Sequence, residues 1–126
     1  MDDELYPNGI FIFNITKMLE FITKNQSTFA VEEVEVSSIY GGHKESLDEA
    51  TVIKANISNP IILAEIAPRR FNVIDGNHRL EKAYRDGVSK VPAYRISPKH
   101  HLQFLTTEKG YKAYVSYWNE KLDQME

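Results

Sequence analysis

FNVIDGNHRLEKAYRDGVSKVPAYRI, residues 71–96, changes its periodicity twice, and the order of those changes decides the fold. FNVID (71–75) is a β-rich apolar run, and the turn DGNHR, which begins with its last residue, interrupts the apolar pattern. From Leu80 the apolar positions fall at i, i+3, i+4 and i+7 (Leu80, Ala83, Tyr84, Gly87), the spacing of an amphipathic helix closed by glycine. KVPAYRI (90–96) then reads as a second strand. The unit is therefore strand, polar turn, helix, strand. Just upstream, PIILAEI (60–66) is another apolar strand, and APRR is short enough to fold it onto FNVID as a hairpin.

The flanking segments extend this pattern. GIFIFNI (9–15) is β-rich and runs into Ile15, Met18, Leu19 and Ile22 at helical spacing, with Asn14 placed as N-cap. VEEVEVSSI (31–39) alternates imperfectly and predicts a strand feeding the loop YGGHKE. Ser46 and Glu49 have capping-box spacing, which predicts a helix from near Leu47 to about Ile57, stopped by SNP. The tail predicts a weak helix in PKHHLQFL and a stronger one in which Tyr111, Tyr114, Val115, Trp118, Leu122 and Met125 share a stripe, read as core packing. The fold class expected is α/β (α+β), a small mixed sheet with flanking helices. It forms one domain over 1–126, with residues 97–126 a C-terminal helical extension.

Composition limits the function. With 126 residues, 42% hydrophobic and 26% charged, the chain has one domain's worth of core. A formal charge of -3 gives no general attraction to nucleic acid, so DNA is a conceivable but not favoured partner. The absence of cysteine removes disulfides, thiolate catalysis and Cys-ligated zinc. The acidic opening MDDELYPNGIFIF does not read as a signal peptide, and no apolar run reaches membrane-spanning length. A soluble, cytoplasmic protein without a membrane partner is expected.

The turn DGNHR (75–79) carries the chemistry. A loop entering a helix presents amides that lack acceptors, and the helix dipole favours an anion there. Gly76 can take a positive φ, and its missing side chain allows a phosphate close to the backbone. Arg79 falls in the first helical turn, where a cation opposes the dipole unless an anion lies between them. His78 can donate to a phosphate oxygen or transfer a proton near neutral pH, and Asn77 offers a donor and an acceptor. Asp75 could hold a divalent cation, act as a general base, or orient Arg79 or the turn. Turn formation explains Asp75, Gly76 and Asn77 but not the immediate succession of His78 and Arg79. An anion site explains all five.

Other candidates are weighed beside it. In YGGHKE, the residues His43, Lys44 and Glu45 could lie over the phosphates if that loop shares the sheet edge, with Glu45 assisting proton transfer. Arg69 and Arg70 read as a solvated hairpin tip. His100 and His101 would point about 100° apart on a helix, a poor metal pair. Tyr84 and Tyr94 read as core residues with a wet hydroxyl.

VIDGNHRLEKAYRDGVSKVPAYRI resembles the signature segment of the ParB/sulfiredoxin superfamily, in which a strand leads into a D-G-x-[HR]-R loop, a helix and a "vP" strand. The resemblance covers residues 60–96 and includes NPIIL. It implies a nucleoside di- or triphosphate held on Gly76, Asn77, His78 and Arg79, with Mg²⁺ accompanying the nucleotide and Asp75 as a catalytic or metal-proximal acid. Sulfiredoxin-like members carry their catalytic cysteine at the position of Asn77, so that chemistry is excluded. Segregation proteins of the family typically read G-E-R-R with a DNA module beyond, which this chain is not expected to hold. The free-serine kinases tend to read D-G-H-H-R, which DGNHR approaches. The resemblance implies a phosphotransferase or nucleotide hydrolase using Asp75, His78 and Glu45, with a small-molecule acceptor. The alternatives it leaves are a ParB-like nuclease and a non-catalytic nucleotide switch.

Overall fold

A computed structural model describes residues 5–8, 11–41 and 47–125. Its elements run β1 (Leu5–Asn8), β2 (Phe11–Asn14), α1 (Ile15–Lys24), β3 (Glu32–Glu35), α2 (Val36–Ile39), α3 (Glu49–Lys54), β4 (Ile61–Ala67), β5 (Arg70–Asp75), α4 (Asn77–Arg85), β6 (Lys90–Ile96), α5 (Pro98–His101) and α6 (Glu108–Gln124). A 3₁₀ turn, Leu102–Phe104, links the last two helices. The main sheet has the order β3-β6-β4-β5. β4 and β6 are parallel, while β3 and β5 run antiparallel to their neighbours. This is the mixed sheet with flanking helices that the alternating periodicities imply.

The period of two in PIILAEI explains why β4 lies at the centre. Ile61 and Leu63 point to one face and join Val34, Val36, Leu80, Ala83, Val91 and Ala93. Ile62 and Ala64 point to the other and join Phe13, Ile15, Met18, Ile22, Phe29, Ile74, Ile96 and Phe104. A strand buried on both faces reads as a near-continuous apolar run, which in β4 only the half-buried Glu65 interrupts. α4 therefore sits on one face of the sheet, while β2, α1 and the segment through Phe104 cover the other. Burying Leu80 there contributes about 2 kcal/mol.

Several boundaries differ from the sequence expectation, each for a local reason. β3 ends at Glu35: the Val36 amide still bonds the Ser89 carbonyl at 2.9 Å, in register with the ladder, but the Val36 carbonyl turns to the Tyr40 amide at 2.8 Å and begins a short helix. α3 begins at Glu49, since Asp48, not the Ser46 capping box, accepts the Thr51 amide at 3.0 Å. Ser46 lies outside the described residues. That helix ends at Lys54 and not Ile57, as Lys82 Nζ captures the Ile53 and Ala55 carbonyls at 2.8 and 3.1 Å. β1, which the sequence reading omitted, pairs antiparallel with β2, matching Tyr6 with Phe13. Asn14 caps α1 as expected, accepting the Lys17 amide at 3.0 Å.

The C-terminal segment is tied to the sheet by specific bonds. Thr106 donates its amide to the Ile12 carbonyl at 2.9 Å, and Leu105 bridges Phe13. The Glu65 carbonyl, beside the register shift between Glu65 and Ala67, accepts both His101 Nε2–H at 2.6 Å and the Tyr114 hydroxyl at 2.8 Å. One carbonyl of the central strand thus anchors two C-terminal helices.

Candidate functional site at the head of helix α4

β5 delivers Asp75 to the sheet edge, and Gly76 turns the chain into α4 with φ 106° and ψ 22°. This is the positive φ anticipated for Gly76. The reason it must be glycine is partly different from the one expected. A Cβ there would collide with the Cγ2 and Cβ of Ile61 and stand 3.0 Å from Arg79 Nη2, so the missing side chain admits the protein's own strand β4. Helix α4 then starts with the Leu80 amide bonding the Gly76 carbonyl at 2.9 Å. Gly76 supplies no side-chain cap. Among the described residues no hydrogen bond engages the amides of Asn77, His78 and Arg79.

Arg79 does not stand uncompensated at this helix end. Its Nη2 lies 3.0 Å from Asp75 Oδ2, and its Nη1 donates to the Pro60 carbonyl at 3.3 Å. The two side chains are 20% and 19% exposed, a half-buried pair that solvent screens only in part. The misfit inferred from sequence is therefore relieved within the chain, and Asp75 is the residue that orients Arg79. Residues 75–79 are all half-buried. His78 faces the start of α3: Asp48 is held below the usual carboxylate range first by the Thr51 hydroxyl and amide, and its pKa is lowered further by His78.

Glu45, His43 and Lys44, expected over the turn, lie outside the described residues. The described residues on either side of them both lie against α4. Tyr40 stacks on Tyr84 with ring centroids 3.9 Å apart and planes 8° from parallel. Its hydroxyl donates to Glu81 at 2.7 Å, a bond that raises the Tyr40 pKa. Arg85 continues the chain of contacts, bonding Glu81 at 2.7 Å and forking onto Glu49 at 2.7 and 2.9 Å. Those carboxylates, Glu49 first, hold Arg85 firmly protonated. Sequence reasoning missed this network, although the i, i+4 spacing of Glu81 and Arg85 signals one of its links.

The remaining candidates separate clearly. Tyr84 is 54% exposed, so it is not the core residue expected; its ring is covered on one side by Tyr40. Tyr94 is partly buried against the core, as expected. Arg69 and Arg70 form the exposed hairpin tip, with the Arg69 amide bonded to Glu65 Oε2 at 2.9 Å. His101 is fully buried with its ring edge-on to Phe13 and Tyr114, whereas His100 packs between Phe21 and Phe29. The two rings thus pack against different neighbours. Among the described residues no group of three or more histidines and carboxylates is placed to hold a metal ion.

A surface groove of about 480 Å³ opens at the far end of α4, between Glu35–Ser37 and Gly87–Lys90, with Tyr84 on its wall. It does not include the Asp75–Arg79 turn. No helix among the described residues is long and apolar enough to cross a membrane. No protein-family model matches the chain, and neither a curated protein nor a solved structure does.

Proposed function

We propose that the chain binds the phosphate groups of a nucleoside di- or triphosphate at the head of α4. The observation that carries this reading is the left-handed Gly76, after which three consecutive amides, those of Asn77, His78 and Arg79, have no acceptor among the described residues at the positive end of a nine-residue helix. The resemblance of DGNHR and its strand-turn-helix setting to the ParB/sulfiredoxin superfamily supports the same reading. A phosphate oxygen accepts from those amides, and the Arg79 guanidinium, five donors in a fixed fork, exchanges part of its contact with Asp75 for the anion. His78, half-buried in the first turn of α4, donates a further bond in this reading.

In this reading Asp75 holds Arg79 in the free protein and yields part of that contact to the phosphate. A single carboxylate fits Mg²⁺ carried in by the nucleotide and held mainly by phosphate and water, and does not fit an ion held by protein alone. Such an ion would neutralise phosphate charge. Phosphoryl transfer or hydrolysis is the catalytic form of the proposal, with Asp75, His78 and Glu45 as its candidate catalytic groups. DNA is the less favoured partner, since the formal charge is -3.

The test is a thermal-shift panel of ATP, ADP, CTP and GTP with and without Mg²⁺, on the wild type and on Arg79→Ala. Ligand at about 100 times its dissociation constant adds about 2.7 kcal/mol of apparent stability. The reading expects a shift with at least one nucleotide that Arg79→Ala reduces. A folded wild type that shifts with none of them overturns it.

A further inference from the structure

Helix α6 has a second face that its own domain leaves open. Only Gly110 and Tyr114 of its 17 residues are buried, and none is buried from Asn119 to Gln124. The first half of the helix is docked and the second half projects. Along its outer side, Tyr111, Val115, Leu122 and Met125, this last at the C-cap, are 47%, 38%, 43% and 56% exposed, with half-buried Trp118 between them. Single exposed apolar residues are ordinary on a surface, but these five fall at spacings of four, three, four and three.

That spacing is the seam of a helix pair, in which apolar residues recur on average every 3.5 residues and pack as knobs between those of a facing helix. A flat or extended partner gives no reason for it. A short helical end unsupported by packing is also marginal in water, so the projecting turns gain from a second helix alongside. The cations nearest the seam are already engaged within the helix: Lys112 lies 3.2 Å from Glu108, and Lys121 sits over the Tyr117 ring at 5.3 Å. The three lysines of α6 are matched in number by Glu108, Glu120 and Asp123, so the helix carries no net side-chain charge that would keep a like helix away.

We propose that this stripe is a homodimer interface in which α6 of one copy packs against α6 of another. A two-fold interface uses the same patch on both sides, which a self-complementary seam satisfies. The five side chains and their flanks offer roughly 400–500 Å² per copy, so the pair buries roughly 1,000 Å², near the lower limit for a specific interface. The dimer is accordingly weak, with a dissociation constant on the order of micromolar to tens of micromolar.

The test is sedimentation equilibrium of the full chain from roughly 1 μM to 500 μM, a range that brackets such a constant. The wild type is expected to rise from 14.5 kDa toward twice that mass. Leu122→Glu combined with Met125→Glu is expected to hold it at the monomer mass with an unchanged far-UV spectrum, because both positions are exposed. Val115→Lys, made separately, should weaken association at least tenfold. A wild type that stays monomeric throughout, or a dimer that all these variants leave intact, overturns the proposal.

Discussion

Arg79 lies along Asp75, its Nη2 3.0 Å from Oδ2, so the guanidinium at the head of α4 is neutralised before any ligand arrives. The carboxylate and an incoming phosphate therefore compete for the same cation. Asp75→Asn is expected to raise the affinity for inorganic phosphate or ADP severalfold, and to cost about 1 kcal/mol of stability through the lost charge-assisted bond. Isothermal titration calorimetry with ADP reads the first effect and urea denaturation the second. Weaker ADP binding by the folded variant would show that Asp75 assists the ligand instead.

Gly76 is held between a left-handed backbone and the side chain of Ile61. Gly76→Ala is expected to destabilise the fold by roughly 2–4 kcal/mol, combining the positive φ with the clash against β4. Ile61→Ala removes the clash but not the backbone cost, so the two substitutions should couple in a double-mutant cycle followed by urea midpoint. Strict additivity would mean that Ile61 is not what Gly76 accommodates.

The buried His101 makes stability depend on pH. Burial lowers its pKa below the ordinary 6.5, only partly offset by its bond to the Glu65 carbonyl, and among the described residues its buried Nδ1 has no hydrogen-bond partner. The unfolded chain therefore takes up the proton first as pH falls through about 6.5, and stability drops from there until the folded-state pKa is passed. His101→Gln should be less stable at pH 8 yet show a shallower decline between pH 7 and 5, measured by urea unfolding across that range. An equally steep decline would assign the acid sensitivity to other groups.

Tyr114 works in the opposite direction. Burial raises its hydroxyl pKa, so the unfolded chain loses that proton first and stability falls as pH climbs past about 10. Tyr114→Phe should remove that alkaline decline and cost about 1 kcal/mol at neutral pH for the bond to the Glu65 carbonyl. Urea unfolding between pH 8 and 11 checks both.

Much of the fold was legible because the sheet and α4 are written in periodicity. β4, β5, α4 and β6 fall where the changes of period place them, and Gly76 takes the positive φ its position implied. The misses have a different origin. α3 ends early because Lys82, 28 positions on from Lys54, captures its carbonyls, and no local pattern records that. β1 is a four-residue strand containing Pro7, too short to alternate visibly. The periodicity of α6 marked an apolar stripe correctly, but not whether anything covers it: Tyr114 is buried, while Tyr111, Val115, Leu122 and Met125 are exposed. At the turn, the residue types pointed to an anion. That Asp75 orients Arg79 was one of the readings open for it, and their i, i+4 spacing agrees.

The most direct measurement of the central claim is an amide-resolved NMR titration of the ¹⁵N-labelled chain with ADP and with ATP. If phosphate binds at the head of α4, the backbone amides of Asn77, His78 and Arg79 should show the largest, saturable shifts, and Arg79→Ala should reduce them. Saturable shifts centred instead on the groove beside Tyr84, or none at these three amides, would contradict the claim.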